Sequence, residues 1–236
     1  MNKKYSLIMI LISLLCTIFA SYKLIYWKNS ITENSNIEKE INSINNVNYD
    51  TLLNYLIEYN EDTVGYLKVN NTRINNVVVQ SNDNKYYLTH NFMKKGNSAG
   101  WLFADFHNKI DESDKNLIIY GHNMKNGSMF GTLKNTMQSA WYKNPSNQTI
   151  TFATLEGIFT YQVFSIYSIP VEDYYITTNF KNDDEFNIFI NTLKGRSIYN
   201  FDVTLNKNDK ILTLSTCNSG GKNRTVLHAK LVKIDK

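Results

Sequence analysis

After Asp62 the chain breaks into short apolar runs separated by polar or glycine-bearing stretches, at 64–69, 77–80, 99–104, 117–120, 149–153, 159–169, 210–216 and 225–234. Each is short for a helix and rich in Val, Ile, Thr and Tyr, which fit a pleated, half-buried surface. They predict eight strands, hence a mainly β domain closed as a barrel or layered as a sandwich. One long insertion, 170–205, separates the sixth run from the seventh. Inside it Phe186, Phe189, Ile190 and Leu193 fall at i, i+3, i+4 and i+7, preceded by Asp183, Asp184 and Glu185 and followed by Gly195. Acidic residues suit the positive N-terminal end of a helix and glycine suits its exit, so this spacing predicts a capped helix.

The first sixty residues are patterned differently. Residues 5–22 are almost entirely apolar, with Lys3 and Lys4 before them and Lys23 after. An uncharged run of about 18 residues is just long enough to cross a bilayer core as a helix. We read 1–29 as a single-pass membrane anchor with its N-terminus in the cytoplasm and the large domain outside the cell, because Lys3 and Lys4 abut the span. A cleaved signal peptide is the competing reading, but Ile18 stands where a small residue is expected upstream of Ala20 and Ser21. Beyond Ser30, Ile37, Ile41 and Ile44 and then Leu52, Leu53, Leu56 and Ile57 recur at helical spacing. They predict one or two amphipathic helices, a stalk over 30–61 that packs on the domain 62–236.

Composition adds mainly exclusions. The 236 residues leave room, after the anchor, for one domain with a single core. The formal charge is +4, and no run of Lys and Arg gathers it into the stripe that nucleic acid would require. It reads as solvated surface, with weak attraction to an anionic membrane or wall. There are 2 cysteines. Cys16 lies in the apolar span and reads as a membrane residue. Cys217 has no partner within its own domain for a disulfide, which makes reactivity a serious reason for its presence.

Cys217 closes the run Thr213-Leu214-Ser215-Thr216-Cys217, and Arg224 returns after a short glycine-bearing loop. Strand alternation puts Ser215 and Cys217 on one face. A neighbouring guanidinium favours thiolate over thiol and can also hold the oxyanion of a tetrahedral intermediate. Taken singly, the thiol reads as packing and the arginine as a surface cation. Four histidines could serve as acid or base. His122, in Tyr120-Gly121-His122-Asn123-Met124, ends a strand, where Gly121 permits a sharp exit and the imidazole is exposed. His90 suits packing or capping, His107 lies in a polar turn near Asp105, and His228 reads as a half-buried or surface residue of the last strand. A Cys–His pair needs the thiolate to attack and the imidazolium to protonate the leaving amine. No Cys and His cluster has metal-ligand spacing, so neither metal nor cofactor is expected. Gly220-Gly221-Lys222 lacks the rest of a phosphate loop.

With these residues in place, the chain resembles the sortases, membrane-anchored cysteine transpeptidases of Gram-positive bacteria, and among them class B. TLSTC ending at Cys217, with Arg224 downstream, is similar to the sortase nucleophile strand and its arginine. IIYGHNM and KNGSMFGTL, over 118–133, resemble the class B histidine segment. DTVGYLKV (62–69) and VVVQSNDNKYYLTHNF (77–92) resemble the first strands and helix, and 170–205 resembles the class B elaboration before the nucleophile strand. The resemblance implies an eight-stranded sortase-type β-barrel with N-terminal helices and a helix-bearing insertion. It implies that Cys217 attacks the Thr carbonyl of a C-terminal sorting signal on a surface protein. His122 would protonate the leaving peptide, and an amine of the cell-wall peptidoglycan peptide would resolve the acyl-enzyme. Arg224 and the backbone N–H of Asn218 would hold the oxyanion. Ser215 and Tyr120 align with residues flanking the family's cleft, and Tyr175 and Ile176 with the part of the insertion that contacts the sorting peptide. The chain departs from the pattern at 71–78, which lacks a Pro, and in having only six residues between Cys217 and Arg224. Two other readings stand beside this one: a different wall-directed cysteine hydrolase such as an L,D-transpeptidase, and a membrane-tethered binding module without activity.

Overall fold

A computed structural model describes residues 3–44, 47–217 and 223–236, with the backbone alone for Lys3, Lys4 and Cys217. Seven of the predicted runs form strands and the run at 99–104 contributes only its last two residues: β1 (Thr63–Val69), β2 (Asn75–Val79), β3 (Phe103–Ala104), β4 (Asn116–His122), β5 (Thr149–Thr154), β6 (Gly157–Pro170), β7 (Ile211–Cys217) and β8 (Asn223–Asp235). They close into a barrel in the order β1-β2-β3-β4-β7-β8-β6-β5, with β5 pairing back onto β1. Closure removes both sheet edges, the usual liability of an all-β chain. Most neighbours are antiparallel, whereas β2 with β3 and β4 with β7 are parallel. Leu67, Val78, Ile119, Phe152, Leu214 and Leu227 are among the side chains that fill the barrel core.

The run at 99–104 is largely not a strand. Gly100 takes a left-handed φ of +57° and its N–H closes a turn onto the carbonyl of Asn97, so only Phe103 and Ala104 are extended. The side chains of Ala99, Trp101 and Leu102 are buried all the same, which accounts for the apolar pattern.

The helices are α1 (Lys3–Ser43), α2 (Tyr49–Tyr59), a single turn α3 (Ser139–Tyr142) and α4 (Asp183–Gly195). α1 runs without interruption from the apolar segment into the stalk, 41 residues, roughly 60 Å at the α-helical rise. By length and composition its first part could cross a membrane. Its side chains are exposed until Ser30, Asn34 and Ile41, at i, i+4 and i+11, turn one face onto the domain. There Asn34 Nδ2 donates to the Gly100 carbonyl (2.8 Å) and Asn97 Nδ2 donates to the Ser30 carbonyl (3.0 Å). α2 starts where the Asn48 side chain accepts from the Thr51 N–H (2.8 Å), and it buries Leu52, Leu53 and Leu56.

α4 begins and ends as its sequence predicts, with Asn182 as N-cap accepting from the Glu185 N–H (2.9 Å). Phe186, Phe189, Ile190 and Leu193 form with Phe164, Tyr167, Tyr175 and Val226 a second core outside the barrel. This second core corrects the reading of His228. The side chain is wholly buried, because the insertion covers the face of β8 that strand alternation alone would have left to solvent.

Burial without a counter-charge pushes the His228 imidazole from 6.5 down to about 3. The titratable groups against it are the phenols of Tyr167 and Tyr175. Above pH 6.5 the ring is neutral folded or unfolded and contributes no pH dependence. As the pH falls toward 3 the unfolded chain takes up a proton that the fold refuses, so stability is lost, by about 1.4 kcal/mol per pH unit. In thermal melts between pH 7.5 and 4.5 the wild type should therefore lose stability more steeply than His228→Gln. Parallel curves would refute the buried neutral histidine.

Candidate active site

β4 and β7 are parallel neighbours with no stagger, so Tyr120 lies opposite Ser215, Gly121 opposite Thr216, and His122 opposite Cys217. Both strands end at that last pair. Since adjacent strands lie about 4.8 Å apart, the backbone alone sets the histidine and cysteine positions side by side at one rim. β8 returns antiparallel to β7 with Val226 opposite Ser215, and Arg224, opposite Ile169 of β6, reaches the same rim. His122, Cys217 and Arg224 thus come to one rim because β4 and β7 reach it together and β8 starts from it.

The His122 side chain is buried rather than exposed, because residues 88 and 100 pack against its ring. Its Nε2 lies 2.8 Å from the Leu88 carbonyl. A carbonyl only accepts, so Nε2 carries the proton of the neutral ring and the proton given or taken in a reaction must be the one at Nδ1. A Cβ on Gly100 would come within 3.0 Å of His122 Cδ2 and 2.5 Å of the Tyr87 carbonyl. Gly100, itself held by Asn34 of α1, therefore forms a flat wall against the ring. Gly121 is not the site of a sharp exit. It stays within β4, and a Cβ there would lie 2.3 Å from Leu102 and 2.9 Å from Phe130.

Arg224 is half-buried, and its Nη1 donates to the Tyr175 hydroxyl at 3.4 Å. That oxygen, having accepted, can pass its own proton to Ser215 Oγ, 3.0 Å away. Ser215 and Tyr175 are buried behind the arginine and Ile176 is half-buried beside them. Tyr120 is buried too. Its hydroxyl donates to Asp105 Oδ2 (2.8 Å), which also accepts from Asn84 Nδ2 (2.8 Å). His107 faces the other oxygen of Asp105 at 2.8 Å, and His90 stacks on Tyr86 with 4.1 Å between ring centres. Asn218, with the rest of residues 218–222 and the side chain of Cys217, lies outside the described residues. Among the described residues no group of three or more His, Cys, Asp or Glu side chains converges as a metal site requires.

Sequence reasoning passed over Leu88, Gly100 and Asp105. Leu88 acts through a backbone carbonyl, which carries no side-chain signature. Asp105 had been noticed only as a neighbour of His107.

The model of the sortase domain matches residues 67–232. Sortase B of Listeria monocytogenes is 36% identical over 222 residues, covering 92% of this chain and 84% of that protein. The chain belongs to the class B sortases. Sortase B from Bacillus anthracis superposes with a TM-score of 0.72 at 37% identity, over 77% of this chain and 83% of that one. A substrate complex of Staphylococcus aureus sortase B gives 0.79 at 30% identity, over 88% and 98%. Class B sortases are cysteine transpeptidases, so the family match favours that chemistry over an L,D-transpeptidase. It agrees with the closed eight-stranded barrel and the helix-bearing insertion.

Proposed function

We propose that this class B sortase cleaves a C-terminal sorting signal after Thr and joins the surface protein to an amine of the cell-wall peptide. The observation carrying the proposal is the unstaggered pairing of His122 with Cys217 beside Arg224. Cys217 Sγ bonds to the Thr carbonyl carbon, and the oxyanion that develops is held by Arg224 and the Asn218 N–H. Collapse of that intermediate breaks the Thr C–N bond, and the departing amine takes the proton from His122 Nδ1. An incoming amine then attacks the thioester and loses its proton to Nδ1, and Sγ leaves as thiolate. Ser215 and Tyr175 support Arg224 from behind, while Tyr120 and Ile176 belong to the wall against which the peptide lies. That a Staphylococcus aureus relative forms a complex with a substrate supports the reading that this chain binds one. Residues 5–22 anchor the chain in the cell membrane, with residues 1–29 as the anchor, 30–61 as the stalk and 62–236 as the catalytic domain outside the cell.

Incubating the full chain in detergent micelles with a library of sorting-signal peptides tests this reading. We expect cleavage after Thr, an acyl adduct on Cys217 seen by mass spectrometry, and a ligated product when an oligoglycine amine is added. Absence of any Cys217 adduct across the library would overturn it.

A further inference from the structure

The 3-10 turn Tyr174–Ile176, which carries Tyr175, is tied to the barrel by hydrogen bonds whose directions can all be assigned. Asn116 Nδ2 donates to the carbonyls of Tyr175 (3.1 Å) and Thr177 (3.0 Å). Its Oδ1 is therefore the acceptor, and it takes the Thr213 hydroxyl proton at 2.6 Å. With that proton spent, Thr213 Oγ1 can only accept from His228 Nδ1, 2.9 Å away. His228 then has its proton on Nδ1 and a lone pair on Nε2, which accepts from the Tyr167 hydroxyl at 2.8 Å. Tyr167 in turn accepts from the Tyr174 hydroxyl at 2.8 Å. The chain starts and ends on the same turn, passing through β6, β8, β7 and β4, and the links through His228, Thr213 and Asn116 are buried.

Protonation of His228 would leave its Nδ1–H bond to Thr213 in place, but a proton on Nε2 would face the Tyr167 hydroxyl, whose own proton would have to turn away. Buried networks of this kind hold a geometry when every member is satisfied. Here the geometry held is that of Tyr175, whose backbone carbonyl accepts from Asn116, whose ring packs edge-on against His228, and whose hydroxyl contacts Arg224 and Ser215.

We propose that His228, Thr213, Asn116 and Tyr167 are positioning residues that fix the 174–177 turn and, through Tyr175, the guanidinium of Arg224 at the rim. The link to turnover rests on the oxyanion role proposed above for Arg224, whereas the fixing of the turn does not. A support that acts on the arginine's transition-state contact lowers kcat and leaves KM in place.

The test uses Thr213→Val, which keeps the side-chain shape and removes both hydrogen-bonding roles, with Thr213→Ser as the conservative rescue. Tyr167→Phe, which removes one oxygen, is the second variant should Thr213→Val not fold. Backbone amide exchange of residues 174–178 in the full chain should quicken about tenfold in Thr213→Val and Tyr167→Phe, with Thr213→Ser close to wild type. At a temperature where all are folded, kcat on a sorting-signal peptide should fall about tenfold with KM within about twofold. Unchanged exchange in a folded Thr213→Val or Tyr167→Phe would show that the network does not hold the turn. Faster exchange with unchanged kcat would show that the turn does not position Arg224. A wild type that cleaves no peptide would sink the functional reading instead, and the exchange result would still decide whether the network holds the turn.

Discussion

Cys217→Ala should bring peptide cleavage and amine ligation to background, a loss of about 10⁴-fold or more, while the barrel still folds. The reaction as proposed has one atom that bonds to the Thr carbonyl, and neither His122 nor Arg224 can replace it. Residue 217 is the last of β7, beyond the end of that strand's pairing with β8 at Ser215, so the sheet does not depend on its side chain for register. The measurement is paired: thermal unfolding, expected to change little, and turnover of a peptide that the wild type cleaves. Residual turnover within about tenfold of wild type would move the nucleophile elsewhere.

Arg224→Ala comes next, with kcat reduced by about 10²–10³ and KM little affected. A donor aimed at charge that develops only in the transition state contributes to kcat alone. Arg224→Lys keeps the charge but not the planar fork that can reach Tyr175 and an oxyanion together, so recovery should be partial. If Arg224→Ala lost thermal stability and activity in step, with Arg224→Lys restoring both, the arginine would be a structural cation.

Much of this was legible in the chain because strands and amphipathic helices write their period directly into it. Apolar spacing marks the eight runs and the 183–195 helix, and the structure keeps the helix and seven of the runs, with only the end of the 99–104 run as strand. Misreadings arose where one element's environment is set by another. Residues 99–102 are apolar because they are buried, yet Gly100 bends them out of the sheet. His228 looked half-solvated because nothing in β8 reveals that the insertion lies over it. Leu88 was invisible because its carbonyl, not its side chain, meets His122. In the candidate site the rim residues could be picked out one at a time, by type and by strand end. Their convergence depends on the parallel pairing of β4 with β7, which no local pattern encodes.

α1 is one continuous helix. The helix passes from its exposed apolar part to the docked face at Ser30 with no hinge between them. With residues 5–22 seated in a bilayer as proposed, azimuth and altitude of the rim become a matter of counting. Each residue added between Trp27 and Ser30 would turn the barrel by about 100° and raise it by about 1.5 Å. Because Asn34 braces Gly100 and Gly100 lies against His122, that count also decides which way the rim with His122 looks out from the membrane.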